Sequence, residues 1–196
     1  DVTVSDGIIY WIGELIMEKK INYAVVGVGG FGTVYCIAIN DNENANLVMV
    51  CDNVAEISEK AGKDYCAEYT TDFDEILQNP EIDAVCIVIP DPLHKEYVIK
   101  ALKAGKHVLC EKPMALKYKE CGEMVRAADE SGKFLMVGQV CRFTPSFIKA
   151  KEIVDSGEIG ELFFIESEYA HDYAHVQTPW RYDPENPRHG MIGGGC

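Results

Sequence analysis

Three glycines stand at Gly27, Gly29 and Gly32 in the stretch NYAVVGVGGFGTVY, residues 22–35, directly after an apolar run. Glycines at this spacing between a strand and a helix form a pyrophosphate cradle. The first permits a tight turn, the second lets a phosphate approach the backbone, and the third lets the helix pack on the strand. Gly30 and Phe31 complete the turn. The N–H groups and dipole of the helix that follows favour a negative charge there. Asp52 lies 20 positions after Gly32, at the end of the apolar run NLVMVCD. A carboxylate at that place accepts both hydroxyls of an adenosine ribose and repels a 2′-phosphate. Asn53 follows, where an arginine would help hold that phosphate. The expected ligand is therefore NAD, with NADP disfavoured. An ordinary strand-end or helix-capping aspartate is the alternative for Asp52.

GVGGFGTV also fits the glycine loop of a protein kinase. That reading requires a lysine strand of the V-A-I-K type, then H-R-D and D-F-G. None of these occurs in the chain, and a kinase loop closes a hairpin instead of opening a helix.

The elements that must hold this turn alternate. INYAVV (21–26), NLVMVCD (46–52), a short piece at 66–69, DAVCIVIP (83–90), HVLCEKP and KFLMVGQV read as six strands. Helical patterns lie between them: from Gly30 to Asn40, VAEISEKAG closed by Gly62, and TDFDEILQNP with a Thr71/Asp74 capping box. Another is capped by Asp91, opened by Pro92 and ended by Gly105, and the last runs over 117–131 to Gly132. Strands alternating with helices require right-handed crossovers and a parallel sheet covered on both faces. Residues 17–140 thus read as an α/β domain, a Rossmann-type doubly wound parallel sheet. After 140 the pattern changes. Thr144 caps a helix over 145–156 that Pro145 starts and Gly157 ends, and ELFFIESEYAHDY (161–173) reads as a long strand. Residues 141–196 form the start of an α+β domain.

Composition narrows the partners. A formal net charge of −14 disfavours nucleic acid and anionic membrane surfaces. No apolar run is long enough to span a bilayer. Eight cysteines, none in a Cys-x-x-Cys pair, read as reduced core fillers and fit a cytoplasmic compartment. No spacing suggests a metal site. Residues 1–16 lack a basic n-region and a cleavage site. They read as an extension ahead of a start at Met17, with a genuine N-terminal arm as the alternative.

GVGGFG, the CDN after the second strand, IPDPLHKEYVIKALKAGKHVLCEKPMAL and GQVCRFTPSFIKAKEIVDSGEIGEL together resemble the glucose–fructose oxidoreductase/inositol dehydrogenase (Gfo/Idh/MocA) family. Glu111-Lys112-Pro113 is the most specific signature and Pro90 to His94 the second. The resemblance implies an NAD(P)-dependent oxidoreductase acting on a sugar, cyclitol or related polyol. It also implies a mainly antiparallel sheet in the second domain, whose exposed face makes a homo-oligomer. Carried onto matching positions, Lys112 is the catalytic cation, lying beside both the cofactor's nicotinamide and the substrate hydroxyl. Glu111 lines the nicotinamide–ribose region, and Pro113 holds the turn, with a cis bond left open. Pro90 and His94 face the cofactor, although a helix-start histidine bonded to backbone is the structural alternative for His94. Arg142, Tyr169, His171, Tyr173, Trp180 and Arg181 are groups of the right chemistry to reach a sugar.

The family's catalytic histidine follows the Gly-rich stretch on the next helix, and the chain ends at Cys196 before that point. The chain therefore reads as an N-terminal fragment of a longer enzyme. The rival reading is a non-catalytic NAD-binding module, a redox sensor or partner subunit. The sugar, the carbon oxidised and the direction of reaction are not written in these residues.

Overall fold

A computed structural model describes residues 20–168, 170 and 179–185. Its frame is one parallel sheet of six strands in the order β3-β2-β1-β4-β5-β6. The strands are β1 (Ile21–Val26), β2 (Ala45–Cys51), β3 (Glu68–Thr70), β4 (Ala84–Ile87), β5 (His107–Cys110) and β6 (Leu135–Val137). Helices α1 (Gly32–Asn40), α2 (Ala55–Tyr65), α3 (Phe73–Gln78), α4 (His94–Lys103) and α5 (Tyr118–Ser131) connect them. The doubly wound α/β expectation holds.

The strand order reverses between β1 and β4, and this puts the helices on opposite faces. α1 and α2 cover one face over Val25, Val50, Cys36, Ile39 and Ala61. α4 and α5 cover the other over Val85, Ile87, Val98, Leu102 and Met124. Strands β1, β2 and β4 are buried from both sides. That is why their sequences run apolar without alternation.

Several local expectations are corrected. Gly62 does not end α2. The helix continues to Tyr65 and closes on Cys66 in the left-handed region at φ 56°. A Cβ at Gly62 would lie 2.7 Å from the Tyr69 ring, so the glycine makes room for β3 to pack. The cap of α3 is Asp72, whose side chain accepts the Asp74 N–H at 2.9 Å, and not a Thr71/Asp74 box. Asp91 stands three residues ahead of α4 and not at its cap position, which Leu93 takes. It begins a short 3-10 turn, Asp91–Leu93, and its carbonyl accepts the His94 N–H where α4 begins. The first helix starts at Gly32 instead of Gly30.

After β6, a 3-10 turn (Val140–Phe143) leads into α6 (Pro145–Asp155), with Pro145 at its start as expected and Thr144 at the cap position but making no side-chain cap bond. Residues 162–168 do not form the expected strand. A strand needs a partner's backbone, and among the described residues none pairs with this stretch. Its apolar side chains stand in solvent, Phe163 completely. No helix among the described residues is long and apolar enough to cross a membrane.

Candidate functional site

The reversal between β1 and β4 leaves a crevice beyond the strands' C-terminal ends, and the glycine turn stands in it. Gly27 follows β1 with φ 86°, a conformation open to glycine. A Cβ there would meet the Val88 carbonyl at 2.3 Å, and one at Gly32 would lie 1.8 Å from the Gly27 carbonyl. Both glycines are therefore demanded by the protein's own packing. Gly29 and Gly30 differ, since a Cβ on either meets nothing within 4 Å. The space above them is open, as a pyrophosphate approaching the backbone requires.

Asp52 braces this turn. Its Oδ2 accepts the Val28 N–H at 3.1 Å, and its Oδ1 accepts the Val54 N–H at 3.1 Å. Burial pushes the neighbouring Cys51 thiol up to about 12, with the Asp52 charge adding to the shift. Cys51 is thus a neutral floor of the pocket. A cavity of about 300 Å³ is lined by Gly27, Gly29, Asp52, Asn53, Pro90 and an aromatic pair, Phe73 and Tyr97. That pair is stacked with centroids 4.7 Å apart.

A second cavity adjoins it. Val88, Ile89 and Pro90 line both. The second also takes in Phe31, Asp91, Glu111, Lys112, Trp180 and Arg181. The Arg181 guanidinium lies over the Trp180 ring, 5.1 Å from its centroid. Lys112 stands in the loop after β5, and its bond to Pro113 is cis.

Glu111 is 7% exposed. Its N–H donates to the Ile87 carbonyl at 3.0 Å, tying the loop to the end of β4. One carboxylate oxygen accepts from the Tyr35 hydroxyl, and the other accepts the Lys112 N–H at 3.0 Å. Burial, then the bond to Glu111, pushes the Tyr35 phenol above its ordinary range.

His94 is placed otherwise than expected. The ring is fully buried and lines neither cavity. Its Nδ1 lies 2.8 Å from the Pro113 carbonyl and its Nε2 2.9 Å from the Ile89 carbonyl. The structural alternative, a helix-start histidine bonded to backbone, describes these surroundings. Arg142 is exposed in the turn after β6 and lines neither cavity. Tyr169, His171 and Tyr173 lie outside the described residues.

The crevice also holds residues that sequence reasoning passed over. Tyr35 carries a signal in hindsight, four positions after Phe31, whose ring it meets edge-on at 6.0 Å. Asp91, 5% exposed, lines the second cavity together with Lys112, whereas its sequence context suggests only a cap. Phe73 and Tyr97 come from separate helices, so no spacing joins them.

The donor set fits a dinucleotide. It offers an open glycine turn at a helix N-terminus, a carboxylate beside it, and a lysine farther along the same crevice.

Comparison with known proteins agrees with this geometry. Residues 21–139 match the oxidoreductase family GFO_IDH_MocA, NAD-binding Rossmann fold, and residues 147–195 match the GFO/IDH/MocA C-terminal domain. The 2,7-anhydro-N-acetylneuraminate hydratase of Mediterraneibacter gnavus is 36% identical over 149 residues, 76% of this chain and 39% of that protein. The NAD-dependent scyllo-inositol 2-dehydrogenase of Bacillus subtilis is 34% identical over 150 residues, 76% of this chain and 44% of that protein. Among solved structures, scyllo-inositol dehydrogenase from Lactobacillus casei with bound NAD(H) and scyllo-inositol superposes with a TM-score of 0.69. It is 32% identical and covers 73% of this chain and 43% of that one. The chain spans about two fifths of the length of the first curated relatives it matches.

Proposed function

The chain belongs to the GFO/IDH/MocA oxidoreductase family, and on that premise we propose that the whole protein is an NAD-dependent oxidoreductase acting on a carbinol carbon of a sugar, cyclitol or related polyol. The observation that carries this reading is the shared wall of the two cavities, Val88, Ile89 and Pro90. It makes one crevice with a phosphate cradle and ribose acceptor at one end and a lysine at the other.

Bound nicotinamide supplies the acceptor or donor of the hydride. The chain's own residues do the rest. Gly29 and the N-terminus of α1 receive the pyrophosphate, and Asp52 accepts the ribose hydroxyls. That preference favours NAD over NADP, since a 2′-phosphate would sit against the carboxylate. Lys112 takes the substrate end, where an ammonium stabilises the developing alkoxide or exchanges its proton. Trp180 and Arg181 offer an apolar face and donors for a polyol. A cytoplasmic location and a homo-oligomer formed through the second domain complete the proposal.

Two of the relatives are named as hydratases of an anhydro sugar acid. They favour a second reading, a reaction on a related ring without net change in the nicotinamide. One experiment separates the possibilities. The whole protein is incubated with NAD or NADH and a panel of inositols, aldoses, polyols and anhydro sugars. Reduced nicotinamide is followed by absorbance and products by mass spectrometry. Change in the nicotinamide with a polyol supports the first reading. Addition of water at constant nicotinamide supports the second. Binding of NAD with neither reaction favours the non-catalytic module.

A further inference from the structure

The loop that presents Lys112 is held from beneath by a helix on the other side of the crevice. Tyr35 projects from α1 and donates its hydroxyl to Glu111, 76 residues on in sequence. The opposite oxygen of the same carboxylate accepts the Lys112 N–H at 3.0 Å. Both oxygens of Glu111 accept bonds within the protein and little of it is exposed, although it lines the second cavity. Gly138 packs against the pair. A Cβ at Gly138, just after β6, would come within 3.0 Å of Glu111 Oε1 and 3.2 Å of the Tyr35 hydroxyl. Gly138 is itself fastened, its N–H donating to the Cys110 carbonyl at 2.8 Å.

We infer that Tyr35 is a positioning residue for Lys112: its hydroxyl holds the Glu111 carboxylate in the one orientation that fastens the Lys112 backbone. The inference rests on the role proposed above for Lys112. Three strand or helix ends converge on the carboxylate. α1 supplies the phenol, β5 leads into the loop, and Gly138 after β6 packs against both groups. Because burial raises the phenol above its ordinary range, Tyr35 remains a donor at any working pH. A hydrogen bond to a charged group is among the stronger ones. The helix whose N-terminus faces the phosphate site is thereby joined to the backbone of the lysine at the other end.

The test uses the whole protein with NAD. Tyr35→Phe removes one oxygen and keeps the ring against Phe31. Turnover of the substrate found in the panel should fall about tenfold or more, while the Kd for NAD stays within about twofold. Hydrogen exchange of the Lys112 amide in the NAD complex should quicken about tenfold, with exchange in β4 unchanged. Gly138→Ala should reproduce both effects with Tyr35 intact, because its methyl displaces the carboxylate. The double variant Tyr35→Phe/Glu111→Gln should be no worse than Glu111→Gln alone. Wild-type turnover together with unchanged Lys112 exchange in Tyr35→Phe would overturn the inference, as would additive losses in the double variant. Lys112→Ala serves as the control. If it abolishes turnover while Tyr35→Phe is neutral, the positioning role fails by itself. If it leaves turnover intact, the proposed role of Lys112 fails, and exchange at the Lys112 amide still decides whether Tyr35 holds the loop.

Discussion

The carboxylate of Asp52 reaches back 24 residues to accept the Val28 N–H inside the glycine turn, at 3.1 Å. The residue proposed to choose the cofactor therefore also shapes the glycine turn. In Asp52→Asn one of the two backbone N–H groups, Val28 or Val54, faces an amide NH₂ instead of an oxygen. The variant should lose about 1 kcal/mol of stability. Its preference for NAD should drop about tenfold or more as the charge disappears. Parallel titrations with NAD and NADP, beside a urea melt, measure both. An unaltered ratio of the two affinities would remove Asp52 from cofactor choice.

Gly29 and Gly32 should respond to alanine in opposite ways. At Gly32 the new methyl would sit 1.8 Å from a carbonyl oxygen, so the turn must move. A loss of about 3 kcal/mol or more is expected, at the upper end for overpacking. At Gly29 the methyl enters open space. Its melting temperature should hold while NAD affinity drops about tenfold or more, because the methyl occupies the proposed pyrophosphate approach. Thermal melts with and without NAD distinguish the two patterns. A Gly29→Ala protein that binds NAD normally would place the pyrophosphate elsewhere.

His94 should behave as a structural residue. Its ring joins the Ile89 carbonyl, on the wall shared by the two cavities, to the Pro113 carbonyl in the lysine loop. His94→Ala leaves a void and strips the carbonyl that accepts the ring N–H of its partner. It should cost about 2–5 kcal/mol. Circular dichroism melts and NAD titration below the transition check this. Undiminished stability with selectively lost NAD binding would restore a direct cofactor role.

Turnover should depend on Lys112 far more than cofactor binding does. Lys112→Ala in the whole protein is expected to lower kcat about 100- to 10,000-fold with the Kd for NAD little changed. Stopped-flow measurement of nicotinamide reduction, paired with calorimetric NAD binding, gives both numbers. Near-normal kcat across the polyol panel would exclude the lysine from the chemistry.

The buried thiols predict a loss of stability in alkali. Burial pushes Cys36 up to about 11, and Cys51 and Cys86 up to about 12, from 9.0. Cys110 moves in the same direction. Between pH 9 and those values the unfolded chain has released protons that the folded chain still holds. Stability contributed by the protonated thiols is therefore complete below pH 9 and is lost above it, by up to about 1.4 kcal/mol per pH unit for each thiol. Tyr23 and Tyr35, raised from 10.0, add to the loss at higher pH, and Lys106, lowered from 10.5, opposes it. Urea midpoints should be level from pH 7.5 to 9 and then decline. A midpoint steady to pH 11 would contradict the burial of these thiols.

Local chemistry made much of this protein legible in its residues. Apolar runs ending in glycine or aspartate set the strands, and periodic stretches between them set the crossovers. The spacing from Gly27 to Gly32 announced the tight turn between β1 and α1, because glycine conformation and helix entry are properties of neighbouring residues. What the tertiary structure alone decided depends on contacts between distant segments. No spacing connects Tyr35 with Glu111, or directs the nitrogens of His94 to carbonyls of two different loops. The cap of α3 turned on which of Thr71 and Asp72 reached the Asp74 N–H, a difference of one residue in backbone direction. Residues 161–173 read as a strand from composition, yet 162–168 form none. A helix closes its hydrogen bonds within its own stretch, whereas a strand takes them from a neighbour that its own sequence does not contain.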